Sequence, residues 1–132
     1  MLDVRCLFYA LATCSTLALS QTTPEYLGRW LGKAVSPVTG AELVSELVLA
    51  ESGSTWTYTR PTGSPGRDNP CFTKAFPVTV IADAAPELKL QVDGSKAFPG
   101  CPDFVVVLKH VDENTYEAQF GDGKRLKLSR SQ

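Results

Sequence analysis

A chain of 132 residues supplies one domain with a single core. Thirteen Lys and Arg against fourteen Asp and Glu leave a net charge of −1. That balance speaks against nonspecific nucleic-acid binding, which needs a positive excess to displace counterions. It also speaks against anionic lipid surfaces as the main partner.

The first twenty residues do not belong to the fold. Arg5 precedes a mostly apolar run, Cys6–Leu19, and Ala18-Leu19-Ser20 places small residues three and one before a cut at Gln21. This is the pattern of a secretory signal peptide. The expected organisation is a signal peptide at 1–20 and one domain at 21–132, in a secreted or periplasmic protein. Leu11-Ala12-Thr13-Cys14 loosely resembles a lipobox, so a lipoprotein variant stays open. Removing 1–20 takes Asp3, Arg5, Cys6 and Cys14, so the net charge stays at −1 and two cysteines remain. No later stretch is apolar enough to span a bilayer.

After a short polar leader, Tyr26–Val35 reads as the first strand, with Gly28, Trp30, Gly32 and Ala34 on one face and Arg29 and Lys33 on the other. Glu42–Ala50 and Thr55–Arg60 read as a hairpin around Glu51-Ser52-Gly53-Ser54. Residues 41–49 also fit helical spacing. Pro61–Pro70 is irregular, because its prolines and glycines forbid regular structure. Phe76–Ala82 and Glu87–Val92 are the fourth and fifth strands. Asp93–Pro102 is expected to be a second long loop, with no helix anywhere outside the signal peptide. Phe104–Val111, Tyr116–Phe120 and Arg125–Ser129 then form a meander through the turn formers 112–115 and 121–124. Cys71 and Cys101 each follow a proline-containing loop and precede a strand. A disulfide is expected in an oxidising compartment.

Eight short strands with mostly short connections imply an all-β fold, a small up-and-down antiparallel barrel whose closure removes exposed edges. A five-stranded oligomer-binding barrel or an open sandwich is the alternative. Parity places Trp30, Leu47, Leu49, Trp56, Tyr58, Phe76, Val78, Val80, Leu88, Leu90, Phe104, Val106, Leu108, Tyr116, Phe120, Leu126 and Leu128 inside. A barrel of this size is just wide enough for such side chains to fill it.

Gly28-Arg29-Trp30 resembles the G-x-W signature of lipocalins, avidins and related calycin barrels. In those families the Trp packs at one end of the barrel under a basic residue from the last strand. The resemblance implies that Arg130 covers Trp30, with Gly28 leaving room at the closure. The C-terminal half also resembles small uncharacterised exported proteins of Gram-negative bacteria. Ser52-Gly53-Ser54-Thr55-Trp56 resembles the S-G-S-x-Tyr motif of bacterial C-type lysozyme inhibitors, with Trp in place of Tyr; a plain hairpin turn reads the same residues.

The residues do not spell out catalysis. His110 is the single histidine, and His110-x-Asp112 falls short of the usual zinc set. There is no Gly-x-Ser-x-Gly and no phosphate loop. The expectation is a non-enzyme without cofactor or metal. A ligand inside the barrel would need polar groups beside apolar walls, and Trp56, Tyr58 and Tyr116 are the candidates. Loops on a rigid scaffold are the other place for binding. There Arg67, Asp68, Phe72, Lys96 and Phe98 form a mixed aromatic and charged set suited to a protein partner. The leading expectation is an exported binding module that engages a protein through its loops. The alternative is a carrier of a small apolar molecule in the barrel interior.

Overall fold

A computed structural model describes residues 24–35, 42–59 and 70–131. The expected signal segment, the expected turn at 36–40, Arg67 and Asp68 lie outside these residues. The strands are β1 Gly28–Val35, β2 Glu42–Leu49, β3 Ser54–Thr59, β4 Phe76–Ala84, β5 Glu87–Asp93, β6 Asp103–Asp112, β7 Thr115–Phe120 and β8 Arg125–Arg130. Each pairs antiparallel with the next, and β8 pairs with β1, so the sheet closes into an up-and-down barrel. Within the segment that also fits helical spacing, Glu42–Leu49 is strand: it alternates half-buried and buried positions with period two from Val44 to Leu49.

The interior follows parity. Trp30, Leu47, Trp56, Phe76, Leu90, Val106 and Leu128 are fully buried. Four residues expected inside, Tyr58, Val80, Phe104 and Phe120, are half-buried and pack against this core from its margin. Four buried side chains add to the expected set: Ser45, Val92, Cys101 and Ala118. Val92 and Ala118 continue the inward parity of β5 and β7. Outward positions carry Arg29, Glu46, Lys89, Lys109, Glu117, Arg125 and Lys127, with an ion pair from Arg29 to Glu46 at 2.5 Å. A charged outside over an apolar inside is the reverse of a lipid-facing barrel.

One expectation is corrected. Residues 94–97 are not irregular but form a one-turn helix, α1 (Gly94–Ala97). Four residues carry no periodic signal, and the neighbouring Pro99 and Gly100 read as breakers. The turn is imposed from outside. The Asp103 carboxylate accepts hydrogen bonds from the Ser95 backbone N–H and hydroxyl, both at 2.8 Å. The Gly94 N–H donates to the Pro102 carbonyl at 3.0 Å.

The antiparallel order sorts the connections onto two ends. One end carries residues 24–27, the turn at 50–53, the β4–β5 tip and the β6–β7 tip. The other carries α1, the 70–75 segment and the β7–β8 turn. The first end is closed by Trp30 and Arg130, which face each other as backbone partners across β1 and β8. The guanidinium carbon lies 4.2 Å from the indole centroid. Its nitrogens donate to the carbonyls of Leu27 (2.8 Å), Glu25 (2.8 Å) and Glu113 (3.2–3.3 Å). Gly28 has φ +136°, and a Cβ there would lie 2.8 Å from Arg130 Nη1. Its role is therefore to admit the guanidinium. Gly32 instead admits Leu128 and the β8 backbone.

Candidate functional site

The loop end is built on an aromatic cluster. Trp56, at the centre of β3, meets Phe104 at 5.7 Å, Phe120 at 5.9 Å and Tyr58 at 6.0 Å between ring centres, all edge to face. Tyr58 in turn meets Phe76 at 6.0 Å. Such pairs each add roughly 0.5–1.5 kcal/mol beyond area burial. They come from β3, β4, β6 and β7, so the cluster ties four strands together just below the loops. Burial raises the Tyr58 phenol pKa, and the nearby Trp56 indole pulls it partly back. The Trp56 Nε1–H is fully buried yet makes no hydrogen bond of sound geometry among the described residues.

β3 and β4 pair only through Ser54–Trp56 and Phe76–Val78, from the cluster toward the closed end. The upper part of β3 is taken over by the 70–75 segment, where the Thr73 N–H donates to the Tyr58 carbonyl at 2.8 Å. Thr73 has φ 67°. A β-branched residue in the left-handed region is strained by about 1–3 kcal/mol, and such strain persists only where neighbours enforce it. That hydrogen bond holds Thr73, and the Cys71–Cys101 disulfide (Cα–Cα 5.6 Å) joins the segment to the end of the 94–102 loop. A closure spanning 30 residues stabilises by roughly 3–4 kcal/mol in the chain-entropy model.

The outcome is a held surface. Phe98 remains 37% exposed, directly after α1. The Lys74 ammonium sits 5.4 Å from the Phe98 ring centre. Lys96 is exposed on α1 and pairs with Asp93 at 3.5 Å. Phe72 is half-buried beside the disulfide. The structure thus brings Lys96 and Phe98 together on one loop, and the bridge ties the Phe72 segment to it. Lys74, which sequence reasoning passed over, joins them; a lysine in a coil carries no signal until the ring beneath it is located.

The three aromatic ligand candidates do not form one site. Trp56 and Tyr58 belong to the cluster under the loops. Tyr116 packs at the closed end, edge-on to Trp30 at 4.7 Å and to His110 at 5.4 Å. His110 is exposed there, and the Asp112 carboxylate is engaged by the Asn114 N–H at 2.9 Å. In the 52–56 motif, Ser52 and Gly53 lie in the hairpin turn, Ser54 opens β3 with its Oγ bonded to the Ala50 backbone, and Trp56 is core. Comparison with family models, curated proteins and solved structures yields no match to this chain. What the geometry defines is a class, a closed eight-stranded antiparallel barrel bearing a disulfide-tied loop surface at one end.

Proposed function

We propose that this is an exported, non-enzymatic binding protein built on a calycin-like barrel, and that it engages a protein partner through its loop end. The observation that carries the reading is the exposed Phe98 with Lys74 over its ring, on a loop held by α1 and the disulfide. An aromatic ring held beside a cation and fixed in advance loses little conformational entropy on binding. Strain at Thr73 in the same surface fits that role, since strained residues gather at binding sites.

The test uses mature protein as bait in extracts of its own host. A co-purifying protein should be retained by the wild type and by a closed-end variant, Glu25→Gln. It should be lost with Phe98→Ala combined with Lys74→Ala. Retention unaffected by the loop-end pair would overturn the reading.

A second reading, a carrier of a small apolar molecule, draws on the Trp56 N–H, a buried donor that a ligand oxygen would satisfy. Native mass spectrometry would then show a retained small mass, displaced in Tyr58→Ala.

A further inference from the structure

In a barrel filled to its rim, inward side chains are shut off from water. Leu47, Leu90 and Val106 obey this and are fully buried. Toward the loop end the inward positions open. Ala34 is exposed there, and Leu43, Tyr58, Phe104 and Phe120 are half-buried. Their rings stand close together, Phe104 lying 6.4 Å from Tyr58 and 5.9 Å from Phe120 between centres. The result is an aromatic mouth that water reaches. Trp56 is its floor, fully buried and edge-on to all three rings.

An apolar mouth is not a site by itself. The second observation is the Trp56 indole N–H, the one fully buried side-chain polar atom without a hydrogen-bond partner among the described residues. A buried donor left unpaired is costly, and a bound acceptor would remove that cost. Two more residues with polar groups face inward beside it. Tyr58 lies two residues along the same face of β3, and Ser45 is its backbone partner on β2. Apolar walls with a few convergent polar groups are the make-up of a small-molecule site. The acceptor that fits is uncharged. Among the described residues no inward position at this end carries a charge, and burial and the Trp56 indole alone act on the Tyr58 phenol. A carboxylate brought there would lose its water without gaining a cation.

We propose that this mouth binds a small uncharged molecule with a ring-sized apolar body and a carbonyl oxygen. The oxygen accepts the Trp56 Nε1–H, and the body lies against Phe104 and Phe120. Tyr58, half in water, turns outward to admit the molecule and closes over it. This is the site that the carrier reading requires, and the ligand class named here rests on that reading.

The probes are acetophenone, the hydrocarbon cumene and benzoate, which share a phenyl ring and a size. Each is titrated into the mature protein at neutral pH and followed by NMR. The Trp56 indole proton should move downfield saturably with acetophenone, and cumene should bind without that downfield shift. The Trp30 indole, already bonded to the Tyr26 carbonyl at 2.9 Å, should stay in place in both titrations. Benzoate should bind at least about tenfold more weakly than acetophenone. Trp56→Phe should weaken acetophenone by about tenfold relative to cumene; if that variant fails to fold, the wild-type shift decides. Cumene reproducing the Trp56 shift, acetophenone binding without it, or benzoate binding as tightly would overturn the proposal and leave the carrier reading standing. No binding of either acetophenone or cumene would overturn both. None of these outcomes bears on retention of a partner by Phe98.

Discussion

Arg130 performs three tasks with one side chain: it stacks on Trp30, caps the carbonyls of residues 25 and 27, and anchors the β6–β7 tip through Glu113. Stacking alone contributes roughly 0.5–2 kcal/mol, and charged hydrogen bonds add to it. Arg130→Ala should therefore lower stability by about 2–3 kcal/mol in urea unfolding. Arg130→Lys should recover little of this, because an ammonium cannot fork to three carbonyls from above the ring. Trp30→Ala should cost about 3–5 kcal/mol through the cavity it leaves. Tyr58 gives a prediction in pH. Burial lifts its phenol above the ordinary 10.0 in the folded state. The folded protein thus holds that proton more tightly than the unfolded chain. Its contribution is fully present below about pH 10 and is lost as pH rises through the folded value. Tyr58→Phe should flatten the alkaline decline in melting temperature. The decline should not vanish, since burial also raises Tyr116.

At the scale of elements, α1 is a test of how a four-residue helix is held. The helix has no side-chain cap at Asp93, and a helix this short does not survive alone. It exists because Asp103 grips Ser95 and because Gly94 lies against the chain at Pro102. A Cβ at Gly94 would fall 2.1 Å from the Pro102 carbonyl oxygen. Gly94→Ala should push α1 off the barrel, at a cost of roughly 1–3 kcal/mol, and should abolish the Lys74–Phe98 stacking. The measurement is thermal stability together with the Phe98 ring signals. The disulfide should act on the same elements. Cys71→Ser should lower stability by roughly 3–4 kcal/mol, and alkylation without reductant should leave both thiols of the wild type unlabelled. If the wild-type thiols label, the bridge is wrong for the protein in its own compartment.

Across the whole molecule, the two ends have different chemistry. The loop end offers an exposed phenylalanine and lysines; the closed end holds the buried Trp30 and Tyr116 beneath the Arg130 guanidinium. A closed sheet makes them independent, because each strand delivers one residue set upward and another downward, and a rigid barrel lies between. Substitutions at Glu25 and Phe98 should accordingly be additive in stability, as expected for positions without shared partners. The export reading is checked at the same scale. Protein recovered outside the cytoplasm should begin at Gln21, or within about two residues of it, by N-terminal sequencing. Met1 at that position would reject the cleavage, and a lipid on Cys14 would select the anchored form.

Period-two alternation over eight runs determined the barrel. It fixes which side chains face inward, and turn residues between the runs leave antiparallel neighbours as the simplest pairing. The Trp30–Arg130 contact was legible for the same reason: in an up-and-down barrel the start of the first strand must lie beside the end of the last. The disulfide was legible because only two cysteines lie beyond the expected signal segment. Only the tertiary structure decided the rest. The α1 turn depends on Asp103, eight residues from Ser95 and on another element. Lys74 meets Phe98 across the bridge, and Tyr116 is drawn away from Trp56 and Tyr58 to the closed end. Alternation says that a residue faces inward, but not at what height. Height follows from the stagger between strands, which no local pattern encodes. For that reason the fold could be read from the chain, while the membership of each site could not.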